Sequence, residues 1–99
     1  MLKKITEEYE QVYFGYKNLM TDYQWEVTCA IGAEGAINNP TSGEFISKYN
    51  LKAASSVKTA INSLLGKEIL YKEKESYFVY DIFFQRWLES NISNSSFRL

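Results

Sequence analysis

The stretch AASSVKTAINSLLGKEIL, residues 53–70, decides how this chain is read. Ala54, Val57, Ile61, Leu64 and Leu65 fall within one stripe at helical spacing, while Ser55, Thr59 and Asn62 lie opposite, flanked by Ser56, Lys58 and Ser63. The period predicts an amphipathic helix over 54–67 with a small, polar outward face. Such a face suits base edges and phosphates, because asparagine pairs with adenine and serine or threonine accepts many partners. Yet the only charges before Glu68 are Lys58 and Lys67, and there is no arginine to read guanine. The same face therefore also fits a solvated surface on a domain with another task.

Immediately upstream, TSGE at 41–44 has the form of a capping box from Thr41 to Glu44. It predicts a short helix with Phe45, Ile46 and Tyr49 on one side, ended by Asn50 as a left-handed terminator. LKA then makes a tight turn. Earlier still, TDYQ at 21–24 is a second capping box, opening a helix that carries Trp25, Val27, Ala30 and Ile31 and stops at Gly35. Asn38-Asn39-Pro40 is a loop. Residues 4–20 place Ile5, Tyr9, Val12, Tyr16 and Leu19 on one face of a further helix, slightly weakened by Gly15.

Downstream the period changes. EILYKE and YFVYD, separated by Lys74-Glu75-Ser76, are rich in branched and aromatic residues and predict a β-hairpin. Asp81 caps IFFQRWLES, where Phe83, Phe84, Trp87 and Leu88 recur at helical spacing. Phe83 and Trp87 are expected to pack on Tyr9, Tyr16 and Leu19, with Trp87 as an anchor, in preference to a stacking platform with Tyr77–Tyr80. The expected fold class is mainly α with a small β-hairpin: a winged helix-turn-helix with extra N- and C-terminal helices. One domain covers 1–90, with the helix-turn-helix at about 41–67 and the wing at about 68–80. Residues 91–99 form a polar tail expected to fray.

Composition bounds the function. The formal net charge is −1 and the pI is about 5.4, which argues against a strongly basic nucleic-acid binder. The distribution is uneven, however. Residues 1–40 hold three lysines against six acids, residues 41–80 hold six lysines against four glutamates, and 45–67 contain four lysines and no acid. Aromatic residues make up 16% of the 99, which lets a small domain bury more area per residue. The single cysteine, Cys29, excludes an intrachain disulfide and any multi-cysteine metal site, and reads as a small buried filler. With no secretory signal and no apolar run near the ~18 residues of a membrane span, a cytoplasmic setting without membrane contact is expected.

The segment NPTSGEFISKYNLKAASSVKTAINSLLGKEILYKEKESYFVYDIFFQRWL resembles the C-terminal winged-helix domain of archaeal-type and bacterial AAA-like P-loop ATPases. The resemblance covers about 21–89 and is most specific in SSVKTAINSLLGKEIL and YFVYDIFFQRWL. Ile82 stands where that family often has proline, and Ala53 where a capping serine or glycine is expected. The resemblance implies an accessory domain that packs on an ATPase core or neighbouring subunit. GxxxxGK[ST] occurs nowhere, so ATP and Mg would belong to a parent core, and no cofactor is expected in this chain.

Catalysis is not expected. There is no histidine, and Asp81 with Arg86 reads as a helix cap and a surface cation. The expected function is a non-catalytic accessory domain making protein contacts, with weak binding of double-stranded DNA. The alternative is a stand-alone DNA-binding transcriptional regulator. The residues assigned to DNA contact are Lys52, Ser55, Ser56, Lys58, Thr59, Asn62, Lys72 and Lys74, with Lys48 and Lys67 as further phosphate candidates. A protein-binding domain would instead leave an apolar patch exposed.

Overall fold

A computed structural model describes residues 15–94 of the chain. Ile5, Tyr9, Val12 and residues 95–99 therefore lie outside the described part. A helical segment at 15–17 leads into α1 (Asp22–Glu34), α2 (Gly43–Tyr49), α3 (Ala54–Gly66), the strands β1 (Leu70–Glu73) and β2 (Ser76–Val79), and α4 (Ile82–Asn94). Helices joined by a tight turn and followed by an antiparallel hairpin are the winged-helix arrangement expected from the sequence.

α1 is the central element, packed against α4, α3 and β2. Its capping box forms as expected. The Gln24 amide donates to Thr21 Oγ1 at 3.1 Å and the Thr21 amide donates to Gln24 Oε1 at 3.2 Å. Gly35 ends the helix at φ 83°, a conformation that costs glycine little. Trp25 and Val27 through Gly32 are all buried, because α1 has neighbours on several sides.

The cap of α2 is Ser42, not the expected Thr41. The Ser42 amide donates to the Asn39 carbonyl at 3.1 Å, closing a turn through Pro40 and Thr41. That turn uses Thr41, and Ser42, with extended backbone, accepts from the Phe45 amide at 3.2 Å. Phe45 and Tyr49 are buried and Ile46 is half-buried. Asn50 adopts the expected left-handed conformation (φ 54°, ψ 51°), and Lys52 follows at φ 81°. Between them Leu51 is wholly enclosed, and its carbonyl accepts from the Tyr23 hydroxyl and the Ala53 amide. A buried leucine held by α1 thus keeps two non-glycine residues in a strained turn.

On α3 the buried stripe is Val57, Ala60, Ile61 and Leu64. Ala54, expected in it, is exposed at the first residue of the helix, one turn before the packed stripe begins at Val57, and Leu65 is half-buried. The hairpin pairs Leu70 with Val79, Tyr71 with Phe78, Lys72 with Tyr77 and Glu73 with Ser76, so Ser76 belongs to the strand and the turn is Lys74-Glu75 alone. Lys74 takes φ 57° in that turn. Ile37 and Tyr77 exchange two backbone hydrogen bonds, adding a one-residue third strand that the sequence does not announce.

α4 is capped by Asp81, whose Oδ1 accepts from the Phe83 and Phe84 amides at 2.9 and 3.2 Å. Phe84, wholly buried, is the anchor. It stacks on Tyr16 at 4.4 Å between ring centres and lies near Trp25 and Trp87. Trp87 is half-buried and packs against the core beside Trp25 and Phe84 as expected, whereas Phe83 and Leu19 are 68% and 58% exposed, contrary to the expected packing of those two. The buried face passes through Phe84 and Leu88, four residues apart, which turns the adjacent Phe83 outward. The expected first helix stops at 17, before Leu19. α4 runs on to Asn94, into the segment expected to fray from 91.

Candidate nucleic-acid interface

Five of the eight predicted contacts lie on α3. Ser55, Ser56, Lys58, Thr59 and Asn62 are all exposed, and none makes a side-chain hydrogen bond or ion pair among the described residues. The polar groups beside them are engaged instead. Ser63 accepts from Gln24 Nε2 at 3.0 Å, and Lys67 donates to the Leu19 carbonyl at 2.6 Å and to Gln24 Oε1 at 2.9 Å. α3 therefore has one edge tied to α1 and an outward face left to solvent.

That outward face borders two clefts. Ser55, Ser56 and Thr59 line a groove of about 370 Å³ against Thr21, the cap of α1, and Tyr23 and Gln24 of its first turn. Lys58 and Asn62 line a cleft of about 240 Å³ with Asn38, Asn39, Lys72 and Glu75. Lys52 and Lys74 are exposed but border neither. The structure thus brings Lys58, Asn62 and Lys72 together, sets Ser55, Ser56 and Thr59 on the other flank, and leaves Lys52 and Lys74 outside both clefts. Asn38, Asn39 and Glu75 were not picked out by sequence spacing. The Asn-Asn-Pro loop signal marked the first two, but only the Ile37–Tyr77 bridge, which holds that loop against the hairpin, puts them beside α3.

Two lysines counted as phosphate candidates are committed internally. Lys67 is held as described. Lys48 pairs with Glu34 Oε2 at 2.8 Å, and that oxygen also accepts from the Tyr49 hydroxyl at 2.6 Å. The hydrogen bonds from Lys48 and then Tyr49 hold the Glu34 carboxyl below its usual range, while burial and the Glu34 carboxylate push the Tyr49 hydroxyl up. This cluster joins α2 to the end of α1. Lys72 sits over the Tyr77 ring at 5.4 Å, which orients its ammonium across the inner face of the hairpin.

The opposite face of the hairpin is aromatic. Tyr71 stacks on Phe78 at 5.0 Å and meets Tyr80 edge-on at 5.8 Å. Tyr80 is 66% exposed, and Ile82 and Phe83 continue the apolar surface onto α4. Tyr71, Tyr80, Ile82 and Phe83 thus leave an exposed apolar patch on this side of the domain.

Cys29 is wholly buried and its thiol is pushed up to about 12 by desolvation, so it is not an activated nucleophile. Among the described residues no group of His, Cys, Asp or Glu is placed to hold a metal ion, and no helix is long and apolar enough to cross a membrane. Compared with known families, residues 11–90 match the family described as "probable winged helix domain". No curated protein and no solved structure gives a match.

Proposed function

This chain belongs to that winged-helix domain family, and from this premise we propose that it is a non-catalytic module making weak, sequence-tolerant contact with double-stranded DNA through α3 and the wing. The observation that carries the reading is the state of the α3 face. Ser55, Ser56, Lys58, Thr59 and Asn62 are exposed and uncommitted, while the neighbouring Ser63 and Lys67 are bonded within the fold. Serine, threonine and asparagine tolerate many base edges, and the absence of arginine from the helix removes the commonest specific contact. With Lys48 and Lys67 engaged internally, Lys52, Lys58, Lys72 and Lys74 are left for phosphates. Four such contacts give a logarithmic salt slope no steeper than about −3.6.

Titration of a labelled duplex at low and physiological salt tests this, with wild type beside Lys58→Glu. Lys58→Glu is expected to abolish binding at low salt without moving the thermal midpoint, because Lys58 is exposed. Nanomolar, sequence-selective binding at physiological salt would sink the proposal.

A second reading is favoured by the aromatic surface of Tyr71, Phe78, Tyr80, Ile82 and Phe83. It makes the chain an accessory domain docked by that surface on the core of an AAA-like P-loop ATPase, as the FFQRWL resemblance implies. Phe83→Ser with Tyr80→Ser should then abolish association with such a core, and retained association would exclude this surface.

A further inference from the structure

The cleft between α3, the wing and the 38–41 loop has a chemistry of its own. Asn38, Asn39 and Asn62 contribute three side-chain amides that make no hydrogen bond among the described residues. Lys58 and Lys72 contribute two ammonium groups without an ion pair, since the described residues contain only the Lys48–Glu34 bridge. The Tyr77 ring holds Lys72 from below at 5.4 Å. Donor-bearing side chains from three separate segments thus line one cleft of about 240 Å³. Against them stands one carboxylate, Glu75, at the hairpin turn.

We propose that this cleft binds a phosphate group, with Lys58, Lys72 and the three asparagine amides as its donors, and that Glu75 limits the affinity. The inference deepens the DNA reading by naming where a backbone phosphate is anchored, and it holds equally for a free phosphate ester. The physical reason for five donors is the geometry of the ligand. A phosphate has several acceptor oxygens, and charged donors make bonds about twice as strong as neutral ones. The amides fix position and the lysines supply charge. Glu75 shares the cleft and opposes any anion by direct repulsion, which is why binding is weak despite the number of donors. Because the lysines come from α3 and from the hairpin, an anion in the cleft also bridges the wing to the helix.

The experiment uses the full chain labelled with ¹⁵N and titrated with inorganic phosphate, followed by competition with a short duplex. The side-chain amide signals of Asn38, Asn39 and Asn62 are expected to shift. Glu75→Gln should tighten phosphate binding about threefold to tenfold, as expected for removing one charge at a few ångströms in a partly solvated cleft. Lys58→Ala with Lys72→Ala should abolish the shifts while the thermal midpoint stays in place. Arg86→Ala, on the exposed side of α4, should change nothing. Displacement of phosphate by duplex identifies the DNA backbone as the ligand. Phosphate shifts without duplex binding keep the site and assign it to free phosphate esters, while removing the DNA reading. Absence of shifts at the three asparagines, or shifts indifferent to the double lysine variant, overturns the site. Duplex binding at full affinity by the double variant overturns the DNA reading, which places backbone phosphates on Lys58 and Lys72.

Discussion

The seam between α1 and α4 and the outer face of α3 are built from opposite materials. In the seam, Phe84 is enclosed by Tyr16, Trp25 and Trp87, Gly32 backs onto Leu88, and Gln85 Nε2 donates to the Gly32 carbonyl at 2.7 Å. On α3, five polar side chains face water with no bond to the rest of the fold. One region is specified by close packing and tolerates little change. The other is specified by what it leaves unfilled, and its residues can be exchanged without loss of structure. Stability and recognition are therefore expected to separate cleanly under mutation, and that separation can be challenged directly.

The largest effect is expected at Phe84. Truncation to Ala removes a fully buried ring and should cost about 3–5 kcal/mol. Phe83→Ala, one residue away and largely exposed, should stay within about 0.5 kcal/mol. Chemical denaturation of the pair measures the contrast. Equal losses would mean that α4 is rotated so that Phe83 shares the buried face with Phe84.

Gly32→Ala comes next. A Cβ there would lie 2.7 Å from Leu88 Cδ1 and 2.8 Å from its Cβ, so α1 and α4 must part. The expected cost is about 1–3 kcal/mol, as for overpacked cores. A combined loss for Gly32→Ala with Leu88→Ala smaller than the sum of the two single losses would identify the clash as the cause.

A gain is expected at α3. It starts at Ala53, whose extended backbone (φ −136°, ψ 149°) suits a cap but whose side chain offers none. Ala53→Ser should stabilise the domain by roughly 1 kcal/mol, read as a raised thermal midpoint. No gain would mean that the first turn of α3 is already satisfied by other means.

The smallest effect concerns the Glu34 cluster. Its carboxyl titrates lower when folded than when unfolded, held down chiefly by Lys48 and then by Tyr49. The stabilisation is therefore fully present above the ordinary glutamate range and is lost as pH falls through the depressed value. Lys48 is mostly exposed, so the effect is modest. Midpoints measured between pH 6 and 3 should fall less steeply for Glu34→Gln than for wild type. Identical slopes would remove Glu34 from the acid response.

Much of this division was legible from the sequence. The α3 stripe, the Thr21–Gln24 box, the Asn50 terminator and the Asp81 cap each rest on neighbours within four residues, where local geometry decides. Phe83 and Phe84 were harder, because two adjacent aromatics satisfy the same spacing and only the position of α1 chooses between them. Ser42 displaced Thr41 because the Pro40 turn closed one residue later than the box implied. Asn38, Asn39 and Glu75 were not legible as partners of Lys58. They meet it through the Ile37–Tyr77 bridge, a pairing across forty residues with no local signal. Lys48 and Lys67 look like any surface lysine until Glu34 and the Leu19 carbonyl are placed beside them.

Cys29 has a consequence for experiment. It is the only thiol in the chain, it has no exposed surface, and desolvation holds it almost entirely protonated at neutral pH. An alkylating reagent can therefore reach it only in molecules whose α1 has come away from its neighbours. The ratio of its labelling rate in the folded chain to that in denaturant counts the open fraction under native conditions, without denaturant extrapolation. The protein carries its own clock for opening, at the centre of the element against which α3, α4 and β2 pack.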